Sequence, residues 1–392
     1  MRDVWIRGAG MTRFAPHPDR GARELVEEAV AAALGDAEVD PRDVRAAYVG
    51  NASAGLMTGQ ECIRGQVVLR RTPLMGVPIV NVENAGSSGS TALHLGWQAV
   101  AGGIHDVVVV VGFEKIDHED RGKSDRATNA TMDLGEVVDV FGADAGRGGR
   151  NVYLDVLAAT TATAGRDDLD RELLALIAVK NRRHGALNPC AWLQEEVTLE
   201  EVLAAPEVGG PLTRLMCTSL SDGAACLVLC AEQFGRARAG GVRLAASVLS
   251  SGRGDDMRRR FSVGMAARQA YELAGVSPEE LDVVELYDAT ALLELSLYRE
   301  LGLCGDGEVA RFIREGATSL GGRLPVNPSG GILSRGHAIG ATGLAQVVEL
   351  AMQLEGRCGQ RQVPSARLAL AQNNGGWLGT DVAACCIHVL QA

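Results

Sequence analysis

Aromatic residues are scarce in this chain: four Trp, five Tyr and six Phe make up 4% of 392 positions. A core with so little ring bulk must be built from Ala, Val, Leu and the 49 glycines, which suits helices packed closely on sheets. Cations are short as well, 38 Lys and Arg against 49 Asp and Glu, a net charge of −11. Without a cationic surplus the chain cannot neutralise a phosphate backbone, which excludes non-specific nucleic-acid binding. The opening residues, MRDVWIRGAGMTRF, contain no apolar segment of the kind found in secretory signals, and no apolar run reaches membrane-spanning length. A cytoplasmic location with no membrane partner is therefore expected. Nine cysteines are scattered, and none forms a C-x-x-C pair. They read as reduced thiols, mostly buried, with Cys62 among the buried ones and no metal site expected.

What the chain does have is an internal echo. Residues 40–44 (DPRDV) precede the strand-like run 46–50, and residues 277–281 (SPEEL) precede 283–287. Each follows an Ala-rich helical stretch, 22–35 and 262–274. Farther on, SGSTAL at 88–93 opens a helical stretch leading to five consecutive valines at 107–111, and IGATGL at 339–344 opens another leading to 368–371. The runs 224–230 and 383–390 close the two halves. Short runs of β-branched residues predict strands covered on both faces, and duplication at this length predicts two similar α/β domains. The first repeat is interrupted by a polar segment, about 114–211, with Asp117–Asp120, Arg147–Arg150 (RGGR) and a charged helix-like stretch 167–184. An insertion folding over the site is expected there. The division is thus 1–113 with 212–234 as one half, 114–211 as a loop domain, and 235–392 as the other half.

Several segments in order resemble thiolases of the sterol-carrier-protein type. They are NVENAGSSGSTAL at 81–93, GFEK at 112–115, Lys180-Asn181 through Asn188-Pro189, PLTRLMCTSLSDGAA at 211–225, ELYDA at 285–289 and NPSGGILSRGHAIGATG at 327–343. The resemblance covers essentially the whole chain. It implies an α/β thiolase fold: two βαβαβαββ domains with five-stranded sheets, stacked in αβαβα layers, with an inserted loop domain. It also implies an acyl-CoA substrate, with coenzyme A entering as part of that substrate and no separately bound cofactor. A homodimer is implied, together with a small zinc-ribbon and oligonucleotide-fold-like partner protein.

The resemblance fails at one atom. Where a thiolase places its cysteine nucleophile, this chain has Gly86, so no acyl-enzyme can form there. A glycine at a helix start leaves backbone N–H groups open and makes room for a bulky acyl group, the role expected of Gly86. Ser87 and Ser88 have no local His or Lys to activate them and read as capping residues. His337 corresponds to the family histidine that donates to the thioester oxygen. Tyr287 stands where thiolases carry Asn or His; it resembles the cysteine-less steroid side-chain aldolases, which have Tyr-Asp at this point. Those enzymes have a second Tyr where this chain has His337. Asp288 is expected to cap the helix 289–302. The stretch 372–376 (QNNGG) lacks the family's second cysteine, so Gly375 and Gly376 are left to offer backbone N–H groups to an oxyanion. Asn327, Ser329, Gly330 and Gly331 are the residues the resemblance assigns to the CoA arm.

The leading expectation is a retro-aldol lyase acting on a β-hydroxyacyl-CoA, with Tyr287 as base and His337 with backbone N–H groups holding the enolate. A steroid side chain is a candidate acyl group through the resemblance alone. Two alternatives stay open: thiolase or acyltransferase chemistry with another nucleophile or a partner's site, and a catalytically silent subunit.

Overall fold

The computed structural model describes residues 1–141, 170–235, 241–252, 262–305, 307–379 and 381–392. The predicted motif Arg147–Arg150 lies outside them.

Nine strands form one sheet. From the first half come β1 (Val4–Met11), β2 (Ala46–Gly50), β3 (Ile79–Val82), β4 (Val107–Glu114) and β7 (Gly223–Ala231). From the second come β8 (Val242–Ser251), β9 (Val283–Glu285), β10 (Leu368–Leu378) and β11 (Asp381–Gln391). The order is β3-β2-β4-β7-β1-β8-β11-β10-β9. Read outward from the β1–β8 junction, the halves match, β1 with β8, β7 with β11, β4 with β10 and β2 with β9. In place of a counterpart to β3, Val326 makes a single parallel bridge to Val284. The expected duplication is present, but the sheets are not separate: β1 and β8 pair antiparallel at Trp5↔Arg243 and Ile6↔Val242.

Strand β4 shows why its valines form a strand buried on both faces. Val108 and Val110 point into a central core, while Val107, Val109 and Val111 point into an outer one. On β7, Ala225, Leu227 and Leu229 face the centre, and Ala224, Cys226 and Val228 face outward. The central core is shared by the helices Ser88–Ala101 and Thr342–Leu354 with inward residues of both halves, including Leu244, Ala369 and Leu390. The helix Ala22–Ala37 covers the outer face of the first half, and Ser262–Ala274 covers that of the second. The two central helices start against each other at glycines. A Cβ on Gly89 would come within 2.6 Å of the Gly340 carbonyl oxygen.

Within 114–211 the described elements include the helices Arg121–Asn129, Arg171–Ala186 and Leu199–Ala204 and the strand β5 (Glu207–Gly209), which pairs with β6 (Leu212–Thr213) just beyond that segment. The helix Arg171–Ala186 turns eleven residues inward, Lys180, Asn181 and His184 among them, because it packs on the second half rather than lying in solvent. All nine cysteines are free, and Cys62, expected to be buried, is exposed. It sits in the turn that joins two short helices, where no packed face is presented to it. No described helix is long and apolar enough to cross a membrane.

Candidate active site

The loop before the helix Ser88–Ala101 turns sharply. Ala85 takes a left-handed φ of 47°, a conformation that costs an alanine about 1–2 kcal/mol. Two serine hydroxyls fasten the turn. Ser88 Oγ accepts from Asn84 N at 3.0 Å and donates to the Ala85 carbonyl at 2.7 Å, and Ser87 Oγ donates to the Asn84 carbonyl at 3.0 Å. Both serines are fully buried and committed to the backbone, but neither caps the helix: their hydroxyls bond the preceding Asn84 and Ala85, because the turn folds back on itself before the helix starts.

Gly86 lies at the tip of this turn, and the space a side chain would take is filled. A Cβ there would stand 2.6 Å from the Asn374 carbonyl oxygen, 2.9 Å from the Tyr287 hydroxyl and 3.3 Å from Tyr287 Cε2. The expectation that Gly86 makes room for an acyl group is corrected here: the room belongs to Tyr287 and to strand β10. The neighbouring glycines are as tightly held. A Cβ on Gly375 would meet the Asn84 carbonyl at 2.1 Å, and Gly376, at φ 67°, would meet the Thr131 carbonyl at 2.5 Å. We expect Gly86→Ala to lower unfolding free energy by about 1–3 kcal/mol in denaturant titrations, because β10 backbone must yield to the methyl. An unchanged midpoint would show that the turn relaxes freely.

His337 closes the site from the other half. Its backbone is fixed beside residues 219–221, donating N–H to the Ser219 carbonyl and accepting from Ser221 N, both at 3.0 Å. Its Nε2 lies 3.1 Å from the Tyr287 hydroxyl oxygen, with the two rings edge to face and their centroids 5.5 Å apart. Its Nδ1 lies 2.8 Å from Thr342 Oγ1. Burial, helped by the nearby Arg335 guanidinium, lowers the imidazole to about 3, so His337 is neutral at physiological pH. The sequence-predicted Gly86, Tyr287, His337, Gly375 and Gly376 thus converge on one point.

Asn327, Ser329, Gly330 and Gly331 lie deeper, and their polar side-chain atoms serve the scaffold. Ser329 donates N–H and Oγ–H to the Glu285 carboxylate, at 3.0 and 2.8 Å. Asn327 accepts from Leu286 N at 2.7 Å and donates to Glu294 at 2.8 Å. Gly330 and Gly331 adopt φ of 93° and 62°; a Cβ on Gly330 would strike Gly185, and one on Gly331 would strike the Asp288 carboxylate. Asp288 does not cap the helix Ala291–Glu300. That cap is Thr290, which accepts from Leu293 N. Asp288 instead receives Ile332 N at 2.7 Å and Leu333 N at 3.2 Å, because the chain after Tyr287 turns its carboxylate toward the start of the helix Gly331–Arg335.

Sequence reasoning missed the buried polar layer under Tyr287. Glu294 receives Lys180 Nζ at 2.6 Å, Asn181 Nδ2 at 2.6 Å, Asn327 and Tyr298. Asn181 also donates to Asp288 at 2.9 Å. Burial and the adjacent Glu294 push the Asp288 carboxyl well above the usual carboxylate range. Burial likewise raises Glu285 to about 7, against the pull of Arg335 at 3.5 Å. Glu114, also buried, gathers Asn51, Ser53 and Gly340 N, tying a first-half loop to the turn after His337. The available signal was carboxylates inside apolar runs, such as Glu285 behind two valines and Glu294 among leucines.

Comparison with known proteins agrees with this architecture. Residues 4–233 match the model of the thiolase N-terminal domain, and residues 246–387 match that of the thiolase C-terminal domain-like family. The chain belongs to the thiolase family. Its thiolase fold is shared with the human mitochondrial 3-ketoacyl-CoA thiolase, at a TM-score of 0.72 and 18% identity over 100% of this chain and 99% of that one. Among curated relatives, the benzoylsuccinyl-CoA thiolase subunit BbsB of Thauera aromatica is 37% identical over 96% of this chain and 95% of its own. Human sterol carrier protein 2 is 35% identical over 96% of this chain and 70% of its own. A solved Ltp2-ChsH2(DUF35) aldolase superposes with a TM-score of 0.81 and 25% identity, over 100% of this chain and 98% of the other. This thiolase-family chain therefore keeps the fold while Tyr287 occupies the room beside position 86.

Proposed function

We propose that this protein cleaves the Cα–Cβ bond of a β-hydroxyacyl-CoA thioester by a retro-aldol reaction. The observation that carries the reading is the Tyr287 hydroxyl, which lies where a side chain at position 86 would begin and 3.1 Å from His337 Nε2. A phenol in that position can move a proton, and position 86 itself has no side chain to carry an acyl group, so the chemistry the arrangement favours is proton transfer without an acyl-enzyme at position 86.

The reaction balances with one proton carrier. Tyr287, as phenolate, takes the proton of the β-hydroxyl. The Cα–Cβ electron pair moves into the thioester, a ketone or aldehyde is released, and the enolate of the shortened acyl-CoA remains. Tyr287 then returns the proton to Cα. An unperturbed phenol titrates near 10, so its base form needs a donor beside it, and the neutral His337 is within hydrogen-bonding distance. With the His337 Nε2–H given to the Tyr287 oxygen, the developing enolate oxygen is assigned in this reading to backbone N–H groups of Gly86, Gly375 and Gly376. The CoA arm passes over the segment of Asn327, Ser329, Gly330 and Gly331, making its contacts with the backbone, since the Asn327 and Ser329 side chains serve Glu285 and Glu294. The similarity to the Ltp2-ChsH2(DUF35) aldolase supports the lyase reading, and the two-component make-up of that aldolase, with BbsB being a thiolase subunit, supports a partner protein. A homodimer and a small zinc-ribbon, oligonucleotide-fold-like partner belong to the same proposal, as does a steroid side chain as the acyl group.

The test is product analysis by mass spectrometry, with the protein and its partner given β-hydroxyacyl-CoA and β-ketoacyl-CoA esters. Expected is a carbonyl product plus a shorter acyl-CoA, with no free CoA consumed. Product that appears only when free CoA is supplied would overturn the lyase in favour of thiolase chemistry. Absence of turnover on every ester would favour a silent subunit.

A further inference from the structure

We propose that Thr342 is a positioning residue that holds His337 in the tautomer protonated on Nε2, so that the imidazole donates to the Tyr287 oxygen. The proposal rests on the proton-carrier reading of Tyr287 for its catalytic consequence; the tautomer itself can be tested without turnover.

The argument is a count of lone pairs. Thr342 Oγ1 has two neighbours, His337 Nδ1 at 2.8 Å and the Ala338 carbonyl oxygen at 3.1 Å. That carbonyl already accepts two backbone donors, Ala341 N at 2.8 Å and Thr342 N at 2.9 Å. A carbonyl oxygen carries two lone pairs, and both are in use. A third donor there competes with two better-placed ones. Thr342 Oγ1 can donate to the Ala338 carbonyl at 3.1 Å or to Nδ1 at 2.8 Å, and we place the proton on the shorter contact, where it does not crowd a carbonyl that already has two donors. A proton donated to Nδ1 makes that nitrogen the acceptor, and in a neutral imidazole the remaining hydrogen then sits on Nε2. Nε2 faces Tyr287 at 3.1 Å. Thr342 is fully buried at the first position of the helix Thr342–Leu354, so its hydroxyl has no exchange of partners with solvent.

The neighbourhood of the ring agrees. His337 is joined to the site through Tyr287, and the cation nearest to it, Arg335, is drawn toward Glu285 and packs over Phe14. None of these supplies an acceptor for a proton on Nδ1. Among the described contacts of the ring, Thr342 meets Nδ1 and Tyr287 meets Nε2, and we assign the choice of tautomer to Thr342.

The consequence is directional. With hydrogen on Nε2, His337 stabilises the Tyr287 phenolate and favours its base form. With hydrogen on Nδ1, the same ring would take the Tyr287 proton into a bond and hold it as a phenol.

The experiment is imidazole nitrogen NMR on the full chain labelled at histidine, with the His337 resonances assigned by their loss in His337→Gln. Wild type is expected to show a protonated Nε2. Thr342→Val removes the hydroxyl at nearly constant volume and is expected to abolish the single Nε2-protonated form, whereas Thr342→Ser retains it. In turnover assays Thr342→Val should lower kcat by about 10- to 100-fold, as loss of a group that orients a functional histidine does, with KM little changed and the alkaline shift of the pH profile that a weaker phenolate support produces. Thr342→Ser should restore both. A wild-type Nδ1-protonated ring, or an unchanged Nε2-protonated ring in Thr342→Val, overturns the proposal. If wild type shows the expected tautomer and Thr342→Val loses it, while no β-hydroxyacyl-CoA is cleaved, the positioning stands and the lyase reading falls.

Discussion

Replacing Tyr287 by Phe is expected to lower kcat for retro-aldol cleavage by about 10²–10⁴-fold, the usual contribution of a positioned acid–base group, or roughly 3–5 kcal/mol in barrier height. The substitution keeps the ring and its edge-to-face packing on His337, so KM should change little. It removes one oxygen, the atom that faces His337 Nε2 and that accepts the substrate proton in the proposed reaction. The buried imidazole loses its partner, and stability should fall by about 1–3 kcal/mol. Steady-state kinetics with a β-hydroxyacyl-CoA, beside a thermal melt, separates the two effects. Turnover within about threefold of wild type would remove Tyr287 from the chemistry, since that ratio corresponds to well under 1 kcal/mol.

The largest loss of stability is expected far from any reacting atom, in Lys180→Met. Lys180 and Glu294 form an ion pair at 2.6 Å, with the lysine side chain only 6% exposed and the glutamate fully buried. Lys180 also donates to the Val326 carbonyl at 2.9 Å. Deleting the cation leaves an uncompensated carboxylate in the interior, which costs about 3–5 kcal/mol. Glu294 holds Asn327, and Asn327 holds Leu286 N, so the damage travels directly to the turn that carries Tyr287. Denaturant unfolding should therefore show a lower midpoint, and residual activity should fall. The double variant Lys180→Met, Glu294→Gln should recover much of the loss, because it removes the orphaned charge along with its partner. A single variant as stable as wild type would mean that Glu294 carries no charge in the folded protein.

The buried layer explains why a thiolase framework can tolerate Tyr287. The loop Leu286–Asp288 is gripped on both sides, by Asn327 at Leu286 and by Gln372 Oε1 at Tyr287 N, 3.1 Å away. Asp288 is anchored to the start of the helix Gly331–Arg335. With the backbone fixed in this way, the phenol ring lies against Gly86. The charge layer and the missing side chain are parts of one arrangement, and only one of them is visible as a motif.

The strands, the helices and the duplication were legible in the sequence because they depend on short-range periodicity. Val107–Val111 alternate between two apolar cores, and a run of that kind reads as a strand with both faces covered. The resemblance of residues 81–93 to the thiolase active-site segment located the loss of the nucleophile at Gly86, and with it the exclusion of an acyl-enzyme at that position. Tertiary structure decided the rest. It decided that the vacancy at Gly86 is filled by Tyr287 and the Asn374 carbonyl, that Asp288 caps a different helix from its own, that Cys62 is exposed, and that Thr342 touches the ring of His337. The physical reason is common to the three buried contacts, Cys62 being exposed in a turn. Hydrophobic periodicity fixes which face of an element is buried, whereas the partner of a buried polar atom is set by segments distant in the chain that meet only when the two halves close around their central helices.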